Sequence, residues 1–130
     1  MTNINSIEVR LGVTDIFRSV DFYSETLGFR LTTLWPSASP QFAILSRDST
    51  RLQLSKSDSD IHSDQSPMCT LWIDVVNVSE SYNTIKDKTS IEWGPEVYSY
   101  GRREFAFRDP DGYLVILSET TDDPPTCDGL

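Results

Sequence analysis

The sequence is poor in the side chains that form crosslinks, hold metals or bind nucleic acids. It has two cysteines and one histidine, and its 11 lysines and arginines are outnumbered by 20 aspartates and glutamates, which gives a formal net charge of −9. Cys69 lies in an apolar segment and Cys127 in a polar tail. This is a poor disulfide framework, so both are expected to be free thiols. Because a negative field repels phosphate groups and anionic lipid surfaces, we expect neither a nucleic-acid nor a membrane partner.

Long hydrophobic runs and the common catalytic motifs are missing as well. No segment approaches the roughly 18 apolar residues that a membrane-spanning helix needs. Residues 1–6 lack the features of a secretory signal, so a cytoplasmic location is expected. There is no Gly-x-Ser-x-Gly elbow, phosphate-binding glycine loop or Cys-x-x-Cys pair. A chain of 130 residues is long enough for one domain with a core and too short for two independent ones.

The first half of the sequence predicts a strand, a helix and three further strands. Apolar and polar residues alternate over 7–13, which is the period of a half-buried strand. Asp15 is a suitable helix N-cap, apolar residues recur every three or four positions up to Leu27, and Gly28 is a suitable stop. Turn-forming residues then separate three strand-like segments, at about 29–35, 41–46 and 51–55.

The second half repeats this order after a linker at 56–67 that is rich in serine and aspartate. The predicted elements are a strand at 69–76, a helix at 77–88 and strands at 91–97, 102–108 and 113–118. We therefore predict a single α+β domain over 1–119, built from two tandem βαβββ modules, module one at 6–57 and module two at 68–119. The acidic tail at 120–130 is expected to be disordered.

Several motifs frame these modules and carry a family resemblance. They are Glu8-Val-Arg-Leu-Gly-Val-Thr-Asp15, Arg18-Ser-Val-Asp-Phe-Tyr23, Leu27-Gly-Phe29 and Arg108-Asp-Pro-Asp-Gly-Tyr-Leu-Val115. Together they resemble the glyoxalase, bleomycin-resistance and extradiol-dioxygenase proteins of the vicinal-oxygen-chelate superfamily. The resemblance implies strands curled around a cleft, helices on the outside and assembly into a homodimer.

In metal-using members of that superfamily, the ligands come from the first and last strand of each module. The matching positions here are Glu8, Gln53, Thr70 and Ile116. Because divalent metals prefer imidazole and carboxylate donors, Glu8 is the one strong candidate in this set. His62 lies in the polar linker and is expected to be solvated. We expect no metal and no other cofactor, with a non-standard divalent metal site as the alternative.

Without a Lewis acid, the lyase and dioxygenase reactions of the superfamily have no evident source of catalysis. The resemblance is then to the metal-free bleomycin-resistance branch, which grips cationic aromatic drugs with aromatic and acidic residues. We expect a protein that binds a small aromatic or cationic molecule, of the antibiotic-sequestering type, rather than an enzyme. The alternative is a glyoxalase- or dioxygenase-like lyase or isomerase. Its catalytic residue is unknown unless Glu8 is a general base rather than a structural partner of Arg10.

The strand pattern around Trp72 points its ring into the predicted cleft, because Leu71 and Ile73 take the helix-facing positions. Pseudo-symmetry predicts a cation–π pair between Trp72 and Arg10. The segment 98–104 is either a mobile loop that closes over a ligand or an ordinary hairpin. The predicted ligand-binding residues are Glu8, Arg10, Trp35, Phe42, Gln53, Trp72, Asp74, Trp93, Tyr98, Tyr100, Arg102 and Ile116, although an aromatic residue in a strand more often packs in a core.

Overall fold

The chain folds into two compact units, Met1–Ile61 and His62–Leu130, and the computed structural model describes residues 2–57 and 69–127. The boundary falls within the predicted linker, of which residues 58–67, with His62, lie outside the described residues. The elements of the first unit are β1 (Val9–Val13), α1 (Ile16–Leu27), β2 (Arg30–Trp35), β3 (Phe42–Arg47) and β4 (Thr50–Lys56). Those of the second are β5 (Thr70–Asp74), α2 (Val78–Ile85), β6 (Ile91–Tyr98), β7 (Arg102–Arg108) and β8 (Leu114–Thr120). This order confirms the predicted tandem βαβββ modules of an α+β fold.

Each unit contains one four-stranded sheet, and the two sheets have the same topology. Their strand orders are β1-β4-β3-β2 and β5-β8-β7-β6. In each sheet the first strand runs parallel to the last, while the other neighbours are antiparallel. A parallel neighbour requires a crossover, which the rest of the module supplies.

The first helix begins and ends where its local chemistry dictates. The Asp15 carboxylate accepts the backbone N–H of Arg18 at 3.1 Å, and Gly28 ends α1 in the left-handed conformation with a φ of 69°. The buried side of α1, which includes Val20 and Tyr23, lies against the sheet. This contact fixes which face of the first sheet is covered.

Strand alternation then divides the first sheet into two faces. Leu11 on β1 and Leu52 and Leu54 on β4 are buried on the side of α1. Arg10 and Gln53 are their alternates, so they point away from α1. We call this opposite side, which carries Glu8, Arg10, Phe42 and Gln53, the far face of the first sheet.

The second sheet is divided in the same way by α2. The Asn77 side chain accepts the N–H of Glu80 at 3.0 Å to start the helix, and Tyr82 meets Phe105 of β7 edge to face at 5.4 Å. Phe105 therefore points toward α2, and its neighbour Glu104 points away from it. The far face of the second sheet carries Trp72, Asp74, Arg102, Glu104 and Ser118.

Some element ends differ from the sequence predictions. The first strand begins at Val9 rather than residue 7, and Ile7 is 92% exposed. β5 stops at Asp74, and Val76 is 98% exposed. The partner strands β4 and β8 extend to Thr50 and Thr120, so β1 and β5 leave the sheet before their partners end, which alternation in the sequence does not report. None of the helices in the described ranges is both long and apolar enough to cross a membrane.

The tail prediction was wrong for residues 121–127. Thr126 donates its backbone N–H to the Val97 carbonyl at 2.8 Å, and Val97 donates its own to Thr126 Oγ1 at 2.8 Å. An ion pair joins Arg103 to Asp123. The tail thus satisfies backbone groups that the edge strand β6 would leave open, which its composition could not reveal. Residues 128–130 lie outside the described part of the chain.

Candidate functional site

A buried carboxylate stands at the centre of the far face of the second sheet. Glu104 is 1% exposed. Its Oε2 accepts hydrogen bonds from Trp72 Nε1 and Ser118 Oγ, both at 2.7 Å, and its Oε1 accepts one from the Tyr100 hydroxyl at 2.5 Å. Three donors converging on one carboxylate satisfy the charge that burial would otherwise penalise.

This carboxylate holds the indole of Trp72 in one orientation while leaving much of the ring open. Trp72 is 57% exposed, yet its N–H is fixed on Glu104. The guanidinium carbon of Arg102 lies 4.8 Å from the ring centroid, a cation–π distance. An exposed aromatic side chain with two such restraints has lost its conformational entropy before any ligand arrives.

Arg102 is itself held from inside the sheet. Its Nε donates to Ser118 Oγ at 2.7 Å, and Ser118 is fully buried. Its Nη2 donates to Asp74 Oδ1 at 2.8 Å, where the Asp74 side chain is 80% exposed. Since exposed ion pairs contribute little, the buried bond sets the position of the guanidinium and Asp74 adds an exchangeable partner.

Aromatic rings continue the site along β6. Trp93 meets Tyr98 edge to face at 5.8 Å, and Tyr98 stacks on Tyr100 at 5.5 Å with an interplanar angle of 3°. Burial, assisted by the nearby Cys127 and Glu104, raises the pKa of Tyr98 to about 12. Desolvation and the hydrogen bond to Glu104 raise the pKa of Tyr100 as well. Both phenols therefore stay protonated, so Tyr100 remains a donor to Glu104.

The segment 98–104 is a tight hairpin, and the interpretation as a mobile closing loop is not supported by its contacts. β6 ends at Tyr98 and β7 begins at Arg102, and the Gly101 N–H donates to the Tyr98 carbonyl at 3.0 Å. Gly101 has a φ of 81°, a conformation that glycine adopts without strain. Arg102 and Glu104 are strand residues, which is why their side chains are held.

The far face of the first sheet carries its own chain of polar contacts. Arg10 Nε donates to Gln53 Oε1 at 3.0 Å, and Gln53 Nε2 donates to Glu8 Oε1 at 3.1 Å. Glu8 Oε2 lies 3.5 Å from Arg51 Nη1. The predicted structural pair of Glu8 and Arg10 is therefore bridged by Gln53, and the direct ion pair of Glu8 is with Arg51.

The predicted stacking of Arg10 on Trp72 would join the two units and stays a prediction, while each side chain has a cation–π partner within its own unit. The Arg10 guanidinium lies 4.8 Å from the Phe42 centroid, while Trp72 has Arg102. Trp35, 67% exposed, is the register neighbour of Phe42 on β2.

The twelve predicted ligand-binding residues thus form one group on each sheet. In the first unit the group is Glu8, Arg10, Trp35, Phe42 and Gln53. In the second it is Trp72, Asp74, Trp93, Tyr98, Tyr100, Arg102 and Ile116, where Ile116 pairs with Trp72 in register and is 8% exposed. That these residues bind a ligand stays a prediction.

Sequence reasoning missed Glu104 and Ser118, which organise the second group. Glu104 fell both in the predicted strand at 102–108 and in the segment 98–104 that was interpreted as a closing loop or a hairpin, and it stands in β7 directly before Phe105. A lone carboxylate directly before the apolar strand residues 105–107 was the available signal, because alternation places it on the face opposite Phe105. Ser118 gave no comparable signal.

The positions matched to metal ligands do not form a metal-binding donor set. Glu8 is bonded to Gln53 and Arg51, while Thr70 and Ile116 supply no imidazole or carboxylate. Among residues 2–57 and 69–127, no cluster of three or more His, Cys, Asp or Glu side chains could hold a metal ion. Metal-free binding stays a prediction, and no chemical step is assigned to a metal.

Comparisons with known proteins identify a matching family and several structures of similar fold. The family model described as the Glyoxalase/Bleomycin resistance protein/Dioxygenase superfamily matches residues 3–117. No curated protein matches the chain. Among solved structures, TioX from Micromonospora sp. ML1 is 21% identical with a TM-score of 0.74, covering 88% of this chain and 97% of that one.

Two other similar structures are described by what they bind. TnmS3, an antibiotic binding protein from Streptomyces sp. CB03234, is 22% identical with a TM-score of 0.73, covering 93% of this chain and 100% of that one. The bleomycin-binding protein of the bleomycin-producing Streptomyces verticillus, solved with copper(II)-bleomycin, is 24% identical with a TM-score of 0.69 and covers 95% and 100%. At these identities the likeness shows the fold alone, and the family match over residues 3–117 shows that the chain belongs to the glyoxalase/bleomycin resistance protein/dioxygenase superfamily.

Proposed function

We propose that the protein binds a small planar aromatic or cationic molecule without a metal and sequesters it as an antibiotic-binding protein does. The observation that carries the proposal is the exposed indole of Trp72, held by Glu104 and Arg102. A planar ligand stacks on such a ring at little entropic cost, because the ring is already ordered.

The electrostatic setting supports the same class of ligand. The chain carries a formal net charge of −9, which raises the local concentration of cations. In the described residues, the contacts of Trp72 and Arg102 bring together the Glu104 carboxylate, the exposed Asp74 carboxylate and the Arg102 guanidinium. A cationic ring therefore meets an excess of negative charge at the platform.

The similar structures support antibiotic binding as the biological role. TnmS3 is an antibiotic binding protein, and the Streptomyces verticillus protein binds copper(II)-bleomycin. Drug sequestration in the cytoplasm by a homodimer is the finer part of the proposal. Size-exclusion chromatography with light scattering tests the dimer, and a mass of one chain contradicts it.

A lyase or isomerase function is not proposed. Glu8 is the sequence's candidate for a general base, and both of its carboxylate oxygens have partners, Gln53 and Arg51. A base in this setting must first break an ion pair to take a proton.

Binding is tested by titrating the protein with bleomycin and with a planar anthraquinone antibiotic, followed by calorimetry and tryptophan fluorescence. We expect micromolar or tighter binding, weakened about tenfold or more in Trp72→Ala, which removes the platform. Phe17→Ala is the matched control, because Phe17 is an exposed aromatic residue on α1. Unchanged affinity in Trp72→Ala, or no binding of either compound, would overturn the proposal.

A further inference from the structure

We infer that Glu104 is a specificity-determining residue that acts through Trp72 and makes its exposed face prefer a cationic planar ring over a neutral ring of the same shape. This inference rests on the proposed function, because it assumes that the ligand stacks on Trp72. It concerns a residue that touches the platform rather than the ligand.

The geometry gives Glu104 a direct hold on the indole. Trp72 Nε1 donates to Glu104 Oε2 at 2.7 Å, a charge-assisted hydrogen bond at the short end of the usual range. The carboxylate lies at the nitrogen edge of the ring and leaves the ring face free. Trp72 is 57% exposed while Glu104 is 1% exposed, so the ring meets solvent and the charge does not.

The chemistry of this bond changes the ring itself. When an indole N–H donates to a carboxylate, electron density moves from the N–H bond into the π system, and the negative potential of both ring faces increases. Cation–π attraction depends on that potential. Because Glu104 is buried, little water lies around it to screen its field.

Arg102 opposes the effect of Glu104 on the ring of Trp72. Its guanidinium lies 4.8 Å from the centroid of Trp72 and lowers the negative potential available to a second cation on the other face. Arg102 is bonded to Asp74 and Ser118, and Ser118 is bonded in turn to Glu104 Oε2. The same carboxylate oxygen therefore receives the indole N–H and anchors the hydroxyl that positions the arginine.

Glu104→Gln is a conservative variant at this position. The glutamine Oε1 can accept from Trp72 and Ser118 in place of the carboxylate Oε2. Its Nε2 can donate to the Tyr100 hydroxyl oxygen, and that hydroxyl can turn toward solvent because Tyr100 is 53% exposed. The variant keeps the shape of the cluster and removes its charge.

The experiment compares two probes of nearly equal shape, N-methylacridinium, a permanent cation, and acridine, which is neutral at mildly alkaline pH. We expect the wild-type protein to prefer the cation, and Glu104→Gln to reduce this preference about three- to tenfold. Glu92→Gln is the control, because it removes a negative charge from an exposed ion pair with Arg108 in the same sheet. Its cation preference should equal that of the wild type.

Two results separate this inference from the proposed function. If both probes bind and Glu104→Gln keeps the wild-type preference, the role of Glu104 is refuted while the binding function stands. If neither probe binds the wild type, or Trp72→Ala binds them equally well, the platform itself is refuted, and the inference falls with it.

A second measurement needs no ligand and does not depend on the folding of Glu104→Gln. The indole N–H proton of Trp72, assigned by its loss in Trp72→Phe, should resonate downfield of those of Trp35 and Trp93, because a carboxylate acceptor deshields it. A resonance within the range of the other two would contradict the hydrogen bond on which the inference depends. Where Glu104→Gln folds, the resonance should move upfield.

Discussion

Trp72 stands in the second sheet at the register position that Arg10 holds in the first. Arg10 pairs with Gln53 on β4 and Trp72 with Ile116 on β8. The same register makes Glu104 the equivalent of Phe42, since each lies two residues before the β7 or β3 partner of those positions. One pair of strand positions therefore carries an arginine and an aromatic ring in one unit and an aromatic ring and a carboxylate in the other.

This exchange explains why the two far faces differ in character. In the first sheet the charged group is on β1, and its guanidinium covers the Phe42 ring. In the second sheet the aromatic ring is on β5, and the Glu104 carboxylate at its nitrogen edge is buried. Both rings have a guanidinium 4.8 Å from the centroid, but only the Trp72 ring also has a buried carboxylate at its edge that fixes its orientation.

Glu8→Gln tests whether the polar chain of the first sheet is structural. Glu8 lies 3.5 Å from Arg51, and the two side chains are 23% and 51% exposed. Because pairs at this exposure contribute little, we expect a loss of less than about 1 kcal/mol in the free energy of unfolding, measured by urea denaturation. Arg51→Ala should give a similar value. A loss of several kcal/mol would show that Glu8 is more tightly integrated than its contacts indicate.

Gly94→Ala should destabilise the second unit strongly. Gly94 has a φ of 85°, and an added Cβ would press on the Glu104 carbonyl oxygen and lie 2.8 Å from Phe105 Cα. Gly101→Ala is the matched control, because Gly101 has a φ of 81° but its nearest contact is 3.8 Å away. The free energy of unfolding of the control should fall by about 1–2 kcal/mol, the cost of backbone strain. That of Gly94→Ala should fall clearly more. Equal losses in thermal denaturation would show that β6 can move away from β7.

The order of elements could be predicted from the sequence because each depends on local patterning. Asp15 and Gly28 bound α1 as expected, and Asn77 caps α2. The position of Trp72 on the sheet face away from the helix also followed from alternation along β5. These features need no knowledge of distant contacts.

The contacts of the site could not be predicted in the same way. The hydrogen bond of Trp72 to Glu104, which lies 32 positions away on β7, was not predicted. This bond depends on register between strands that are not neighbours in the sheet, and on the hairpin that makes Glu104 a strand residue. For the same reason the order of the tail, which depends on the open edge of β6, could not be read from its composition.

Removal of the tail should weaken the second unit by exposing that edge. A chain that ends at residue 120 loses the bonds of Thr126 to Val97 and of Thr121 to Gly101, together with the ion pair of Arg103 with Asp123. We expect a loss of about 1–3 kcal/mol, since each net hydrogen bond contributes about 1 kcal/mol. A chain that ends at residue 127 is the control. Equal melting temperatures for the two would show that the tail bonds do not contribute.

Alkaline pH should destabilise the protein through Tyr98. Its pKa rises from 10.0 to about 12 on folding, first because the phenol is buried and then because of Cys127. The unfolded state therefore ionises first, so the stability present below pH 10 is lost as pH rises toward 12. Urea denaturation across this window should show a smaller decline in Tyr98→Phe. An identical decline in the variant would assign the effect to other groups.

Divalent metal ions should neither copurify with the protein nor stabilise it. In the first sheet the Glu8 carboxylate is already bonded to Gln53 and Arg51, and a metal must displace both partners to gain one ligand. We expect elemental analysis to find far less than one metal per chain, and melting temperatures to be the same with zinc, manganese or a chelator, because a ligand that does not bind the native state cannot stabilise it. Stoichiometric metal and a fall in melting temperature with chelator would restore the enzyme hypothesis. In that case the metal content of His62→Ala would show whether the one histidine of the chain is a ligand.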